Sequence, residues 1–401
     1  MARVKIISDS TCDLTPELLQ RYDITLTPLC VIKDGREYHD RIDITPADIF
    51  AHVDSGGSLC TTAAVSQYEY TAMFSRFAPE YDAVVQVTIG SGFSSCYQNA
   101  CLAAQEFDNV YVVDSQNLSC GQGLLVVTAA RLAEQGLTGE EIVDRLRTLS
   151  PKVEASFLIE RLDYLYKGGR CSAVAALGAN VLRLKPCIEV RDNKMIVGKK
   201  YRGSFEHAIR QYVRERLEGR TDISDALAFV VHPAAPDNVV HAAMDAAAQY
   251  GLFRELVEAH ANCTVSCHCG PHTLWIMFLR KLRKMHRLRV SFIFLFLFPA
   301  GSGIARAGGA ERYVMVAALD NAGGRDKRKL RVLLQIGDGG HAAVAHGGLD
   351  LIKAAGNIVL KRTGIGDIGI HALFKGERAL TAKVIALPVA GTVGALAPIF
   401  L

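Results

Sequence analysis

The chain has 401 residues, half of them hydrophobic and 21% charged, with a formal net charge of +4. Such a composition excludes a disordered chain, which buries too little apolar surface to fold, and it offers no concentrated basic face for nucleic acid. All 11 cysteines lie between Cys12 and Cys269, and the opening MARVKIISDS lacks the charged and apolar regions of an export signal, so they read as reduced thiols in the cytoplasm. The apolar run from Val290 to Ala300 is shorter than the roughly 20 residues a membrane helix needs, so no transmembrane segment is expected.

In chain order, Val4 to Ile7 reads as a strand, broken by Ser8-Asp9-Ser10-Thr11, and Thr15-Pro16 supplies an N-cap and a first helical position. A second unit has a strand at Ala83 to Ile89, a turn at Gly90-Ser91-Gly92 and a helix over Ser94 to Phe107. A third runs from the strand Val110 to Val113 through Asp114-Ser115 into a helix over Gly121 to Gln135. Thr138 and Glu141 then form a capping box for a helix ending near Leu149. Alternation of this kind predicts a parallel sheet, with ligands bound beyond the carboxyl ends of its strands.

The pattern changes near Ser156. Strands at Cys187 to Val190 and Met195 to Val197 flank the hairpin signal Asp192-Asn193. Helices are expected at Ser204 to Leu217 and Asp237 to Tyr250, with strands at Leu227 to Val231, Thr264 to Cys267 and Leu274 to Phe278. The expected organisation is an α/β fold with parallel and mixed sheets: one domain over 1–155, a second over 156–284, and an atypical tail over 285–401.

Several residues invite a chemical reading. Ser94 stands where a helix should begin, and a serine there is most often a plain N-cap. Thr61-Thr62 could equally cap the helix that follows, and His268 before Gly270-Pro271 could be a structural histidine. Asp9 and Asp114 follow strands, where loop-forming and capping roles suffice. Cys263, Cys267, His268, Cys269 and His272 lack the paired spacing of a zinc site, and a strand would send His268 away from Cys267 and Cys269. No metal and no cofactor is therefore expected.

Seven segments in order sharpen this picture: Ser8 to Leu14, Thr61 to Ala64, Ser91 to Ala100, Val113 to Ser115, Tyr166 to Arg170, Leu184 to Pro186, and His268 to Pro271. Together they resemble the DegV family, whose members bind long-chain fatty acids between two α/β domains, some of them presenting the carboxyl group to a kinase. By that resemblance Thr62, Ser94 and His268 hold the carboxylate, and Arg202 contacts a fatty acid kinase partner, with a solvated basic loop as the equal alternative. Arg170, in the turn after Gly168-Gly169, reads as a cap or a brace of the domain interface. Hydroxyls beside a helix N-terminus are suitable donors for a carboxylate, and neutral donors bind it without an ion pair that resists release. The chain departs from the commoner family pattern at Gly90, Ser95, Cys96 and His272. It shows neither a phosphate-binding loop nor a kinase signature, so the expectation is a lipid-binding protein without catalysis of its own. The alternative is a small hydrolase or acyltransferase using Ser94 and His268, for which the sequence names no carboxylate to orient the histidine.

The family pattern ends near Lys284. Beyond it cysteine and tryptophan vanish and the apolar residues keep no clear period, apart from runs such as Arg331 to Ile336 and Lys383 to Leu387. Gly364 to Gly369 lacks a convincing preceding strand for nucleotide binding. The tail is read as spurious or disordered sequence that does not contribute to ligand binding, the rival reading being a small added α/β domain with a regulatory role.

Overall fold

A computed structural model describes residues 2–171 and 184–282, together with six strands between residues 289 and 385. Chain contacts divide it into two units, Met1–Arg283 and Lys284–Leu401.

In the first unit, β1 (Val4–Asp9), β2 (Thr25–Thr27), β6 (Ala83–Thr88) and β7 (Val110–Asp114) form a four-stranded sheet in the order β2-β1-β6-β7. All its pairings are parallel, as the strand–helix alternation predicts. Every residue of β6 is buried, which is how a central parallel strand covered on both faces behaves. The strands alternate with α1 (Pro16–Arg21), α3 (Gln67–Phe77), α4 (Cys96–Ala104), α5 (Cys120–Glu134) and α6 (Gly139–Leu149). Thr15 caps α1 through Leu18 N, and Thr138 and Glu141 close the expected capping box on α6. Helix α3 is capped by Ser66 rather than by Thr61 or Thr62, which instead lie in a strand.

That strand, β5 (Thr61–Ala63), joins β3 (Cys30–Lys33) and β4 (Arg36–His39) in a small antiparallel sheet, with α2 (Pro46–Asp54) between β4 and β5. Strands of three or four residues leave almost no period to read, and none of them was expected from the sequence.

The second sheet is mixed, in the order β10-β9-β8-β13-β11-β12. Its strands are β8 (Val153–Ile159), β9 (Leu184–Arg191), β10 (Lys194–Arg202), β11 (Ile223–His232), β12 (Leu256–His260) and β13 (Thr273–Arg280). Asp192 and Asn193 have φ of 48° and 60°, the conformation a two-residue hairpin turn demands. Helices α7 (Leu162–Lys167), α8 (Phe205–Leu217), α9 (Asp237–Ala248) and α10 (Cys263–Cys269) complete the unit.

One expectation is overturned. Thr264 to Cys267 is not a strand but the body of α10. The β-branched and thiol side chains favour extended backbone, yet two distant carboxylates hold the helix end. Asp40 accepts from Cys263 N at 2.8 Å and Thr264 N at 3.3 Å, and Asp13 accepts from Asn262 N at 2.9 Å. These acceptors satisfy amides that a helix N-terminus leaves open, and tertiary structure overrides propensity.

In the second unit, β14 (Arg289–Leu295), β15 (Arg312–Asp320) and β16 (Lys329–Gln335) pair antiparallel in one three-stranded sheet. Strands β17 (Ala355–Arg362), β18 (Asp367–Phe374) and β19 (Glu377–Ile385) form another. The expected end at Lys284 and residues 364–366 of the glycine-rich stretch lie outside the described residues.

Candidate ligand-binding site

The loop after β6 is held by Asp9 and Asp114. Asp9 is fully buried at the end of β1 and accepts from Tyr70 Oη at 2.6 Å, Gln86 Nε2 at 3.0 Å and Ile89 N at 2.7 Å. Asp114 accepts from Ser91 N at 3.1 Å and Ser91 Oγ at 2.6 Å. Both are loop anchors, as the sequence implies. Gly90 has no room to be larger, because a Cβ there would lie 2.5 Å from Asn193 Oδ1 and 2.9 Å from Asn117 N. Asn193 in the β9–β10 turn also donates to Ser91 Oγ at 2.8 Å, which ties the hairpin to this loop.

Burial raises the Asp9 carboxyl to about 7, against the hydrogen bonds from Tyr70 and Ile89 that pull it down. An unfolded aspartate titrates near 3.9, so the folded protein holds this proton more tightly. The resulting stability is fully present below pH of about 4 and is lost as the pH rises through about 7. In thermal melts from pH 5 to 8, wild type should lose ground against Asp9→Asn as the pH rises. A difference that stays constant across that range would show that Asp9 does not hold its proton.

Beyond the strand ends lies a cavity of about 250 Å³. Its wall is mainly apolar, with Leu29, Ile89, Phe93, Leu118, Phe157 and Trp275 contributing. Phe157 and Trp275 are fully buried and stack with ring centroids 3.9 Å apart. Three elements bring polar side chains to the same cavity: Thr62 from β5, Ser94 from the loop before α4, and His268 from the last turn of α10.

Thr62 Oγ1 and His268 Nε2 are 2.9 Å apart, across 206 residues of chain. The opposite ring nitrogen, Nδ1, is buried without a hydrogen-bond partner. Gly168 closes over it, where a Cβ would lie 2.5 Å from Nδ1. Burial, with the Arg170 cation as a lesser cause, lowers the His268 pKa to about 4, so the ring is neutral near pH 7. In the tautomer with its proton on Nε2, the ring donates to Thr62 and leaves the threonine hydroxyl proton free to point at a ligand. Ser94 Oγ donates to Cys96 Sγ at 3.2 Å and accepts from Cys96 N at 3.3 Å, so its proton rests on a weak acceptor. Burial pushes the Cys96 thiol up to about 12, so no thiolate competes there.

Arg170 also lines the cavity, in the turn after α7, with Nη1 donating to Gly168 O at 2.7 Å. Arg202 does not; it is exposed at the end of β10. Of the five cysteine and histidine positions weighed for zinc, the helix sets Cys263 and Cys267 one turn apart, and Cys263 Sγ donates to Ile44 O at 3.1 Å. His272 pairs instead with Glu160, at 2.9 Å. Among the described residues one trio comes within ligating reach of a shared point, His232, Glu258 and His260. His232 Nδ1 accepts from Ala235 N at 3.3 Å, which leaves its Nε2 proton for Glu258 at 3.2 Å. A metal on Nε2 would force a proton onto Nδ1 facing another donor, which disfavours ligation.

The DegV family model matches residues 3–281. The chain belongs to the DegV family. A DegV domain-containing protein of Clostridium acetobutylicum is 30% identical over 283 residues, covering 70% of this chain and all of that protein. A DegV family protein from Thermus thermophilus, described as fatty acid binding, superposes with a TM-score of 0.64 at 28% identity. That match covers 69% of this chain and 99% of the other. A stearic acid-binding protein from Eubacterium ventriosum gives 0.63 at 27% identity, covering 69% of this chain and 98% of its own. The DegV region is thus matched end to end, and the two α/β sheets are its fold. Among the described residues, no helix is long and apolar enough to cross a membrane.

Proposed function

We propose that this DegV protein binds a long-chain fatty acid in the cavity between its two sheets, with Thr62, Ser94 and His268 holding the carboxylate. The observation that carries the reading is the pairing of Thr62 with a neutral His268 at the edge of an otherwise apolar cavity that Ser94 also lines. The tail would supply most of the affinity, at about 0.8 kcal/mol per buried methylene, and the head group would set its direction. Fatty acid binding by the Thermus and Eubacterium relatives supports the same reading.

A hydrolytic role for Ser94 with His268 finds less support. In a catalytic triad a carboxylate orients the histidine through Nδ1, and here Nδ1 has no partner among the described residues. The protein then acts in the cytoplasm as a carrier, presenting the acyl carboxylate to a separate fatty acid kinase, with Arg202 and Arg170 near that contact. Ligand binding belongs to domains spanning 1–155 and 156–284, and a chain truncated at Lys284 should keep both stability and lipid affinity.

Native mass spectrometry of the purified protein should reveal a co-purifying fatty acid. Thr62→Val, Ser94→Ala and His268→Ala should each weaken binding of a fluorescent fatty acid by about ten- to a hundredfold, the worth of one hydrogen bond to a charged group. Unchanged affinity in the triple variant would overturn the assignment. Arg202→Ala should slow phosphorylation by the kinase while leaving lipid affinity intact.

A further inference from the structure

Two thiols stand directly behind the pair that faces the ligand. Cys60 lies two residues before Thr62, and Cys267 immediately precedes His268. The Thr62–His268 hydrogen bond therefore brings both cysteines to one place, where β5 packs on α10. Both are buried in a single apolar cluster with Val31, Ile49, Phe50 and Tyr164. Both are free thiols of that one cluster, carried by two elements in contact. Nothing in the proposed binding role uses them.

We propose that Cys60 and Cys267 form a peroxide-reactive thiol pair whose oxidation to a disulfide loosens the grip on the ligand carboxylate. The Cys60 pKa is lowered and that of Cys267 raised, the neighbouring thiol being the first cause of each shift. Cys60 is thus the nucleophile, since the thiolate is the reactive form. The Cys60 sulfur attacks hydrogen peroxide, the O–O bond breaks, and sulfenic acid and water form. Cys267 sulfur then attacks the Cys60 sulfur, displacing its hydroxyl, which leaves as water with the Cys267 proton. Two thiols are oxidised and one peroxide is reduced to two waters.

The consequence for the site is geometric. A disulfide needs an S–S distance of about 2.05 Å, far closer than two free thiols can pack. Closing that gap draws the start of β5 against α10, the two elements that carry Thr62 and His268. Thr62 Oγ1 and His268 Nε2 already sit at 2.9 Å, so the contraction turns their side chains rather than shortening the bond. The effect on ligand rests on the fatty-acid reading above; the cross-link itself does not.

The test treats the full chain with hydrogen peroxide and maps its cysteines by peptide mass spectrometry. The expected product is a Cys60–Cys267 peptide lacking two hydrogens, formed ahead of any link among the other thiols and reversed by dithiothreitol. A fluorescent fatty acid should then dissociate about tenfold faster, the scale of one lost hydrogen bond to a charged group. Cys60→Ser and Cys267→Ser should each abolish the peroxide effect while leaving reduced-state binding unchanged. Peroxide that links other pairs first, or links this pair without faster release, overturns the proposal. Reduced protein that binds no fatty acid would instead sink the functional reading, and the cross-link would still be scored. If either serine variant misfolds, the peptide map and release rate of peroxide-treated wild type decide alone.

Discussion

Replacing Phe157 with alanine is expected to lower the unfolding free energy by about 3–5 kcal/mol, the range for truncating a buried aromatic. Phe157 is fully buried in β8, paired with Trp275 on one side and Ile188 of β9 on the other. Its ring stacks on Trp275 at 3.9 Å, in the core cluster that links both sheets. Strand pairing on both flanks prevents the backbone from closing over the void, so the loss should fall toward the upper end. The ring also walls the ligand cavity, and the new space would merge with it. Chemical denaturation followed by fluorescence of Trp275, the sole tryptophan, measures the effect in a matched variant. Phe157→Leu should recover most of the stability by refilling volume. A loss below about 1 kcal/mol for alanine would mean that the site collapses freely and the stack is not part of the rigid core.

What the sequence made legible follows from how local each signal is. The strands β1, β6 and β7 and the caps at Thr15 and Thr138 declare themselves within a few residues, and the hairpin turn needs only Asp192 and Asn193. The DegV motifs likewise run in order along the chain, so family and fold could be read before any contact was known. The cavity wall could not. Leu29, Phe157 and Trp275 look like any other core residue until the two sheets meet. Helix α10 was misread because its stabilising partners, Asp13 and Asp40, lie far away in the chain. A local signal existed in Asn262 at the N-cap and Gly270 just after the helix, but Thr264-Val265 between them favours a strand. In a strand, His268 would point away from Cys267 and Cys269. The helix places Cys267 in the same buried cluster as Cys60 instead.

Removing the Asp40 carboxylate should harm the site without touching it. Asp40 is 1% exposed and outside the cavity wall. It accepts from Ser10 Oγ at 3.0 Å, Cys263 N at 2.8 Å and Thr264 N at 3.3 Å. Asp40→Ala strands these donors in a buried setting, at about 1–3 kcal/mol for each one left unpaired. Ser10 Oγ can rotate, since it also accepts from Leu29 N at 3.1 Å, but two fixed amides at the helix end cannot. The negative charge that opposes the positive end of the helix dipole is lost as well. The expected total is about 3–5 kcal/mol of stability. Asp40→Asn, which keeps one acceptor oxygen and much the same shape, should cost roughly half as much. Because α10 carries His268 in its last turn, the alanine variant should also weaken fatty acid affinity and shift the His268 imidazole resonances. Denaturation curves, a fluorescent fatty acid titration and histidine NMR read the three effects separately. Lost stability with unchanged affinity and unchanged His268 resonances would mean that Asp13, holding Asn262 through both its backbone and side-chain amides at 2.9 Å, positions the helix by itself.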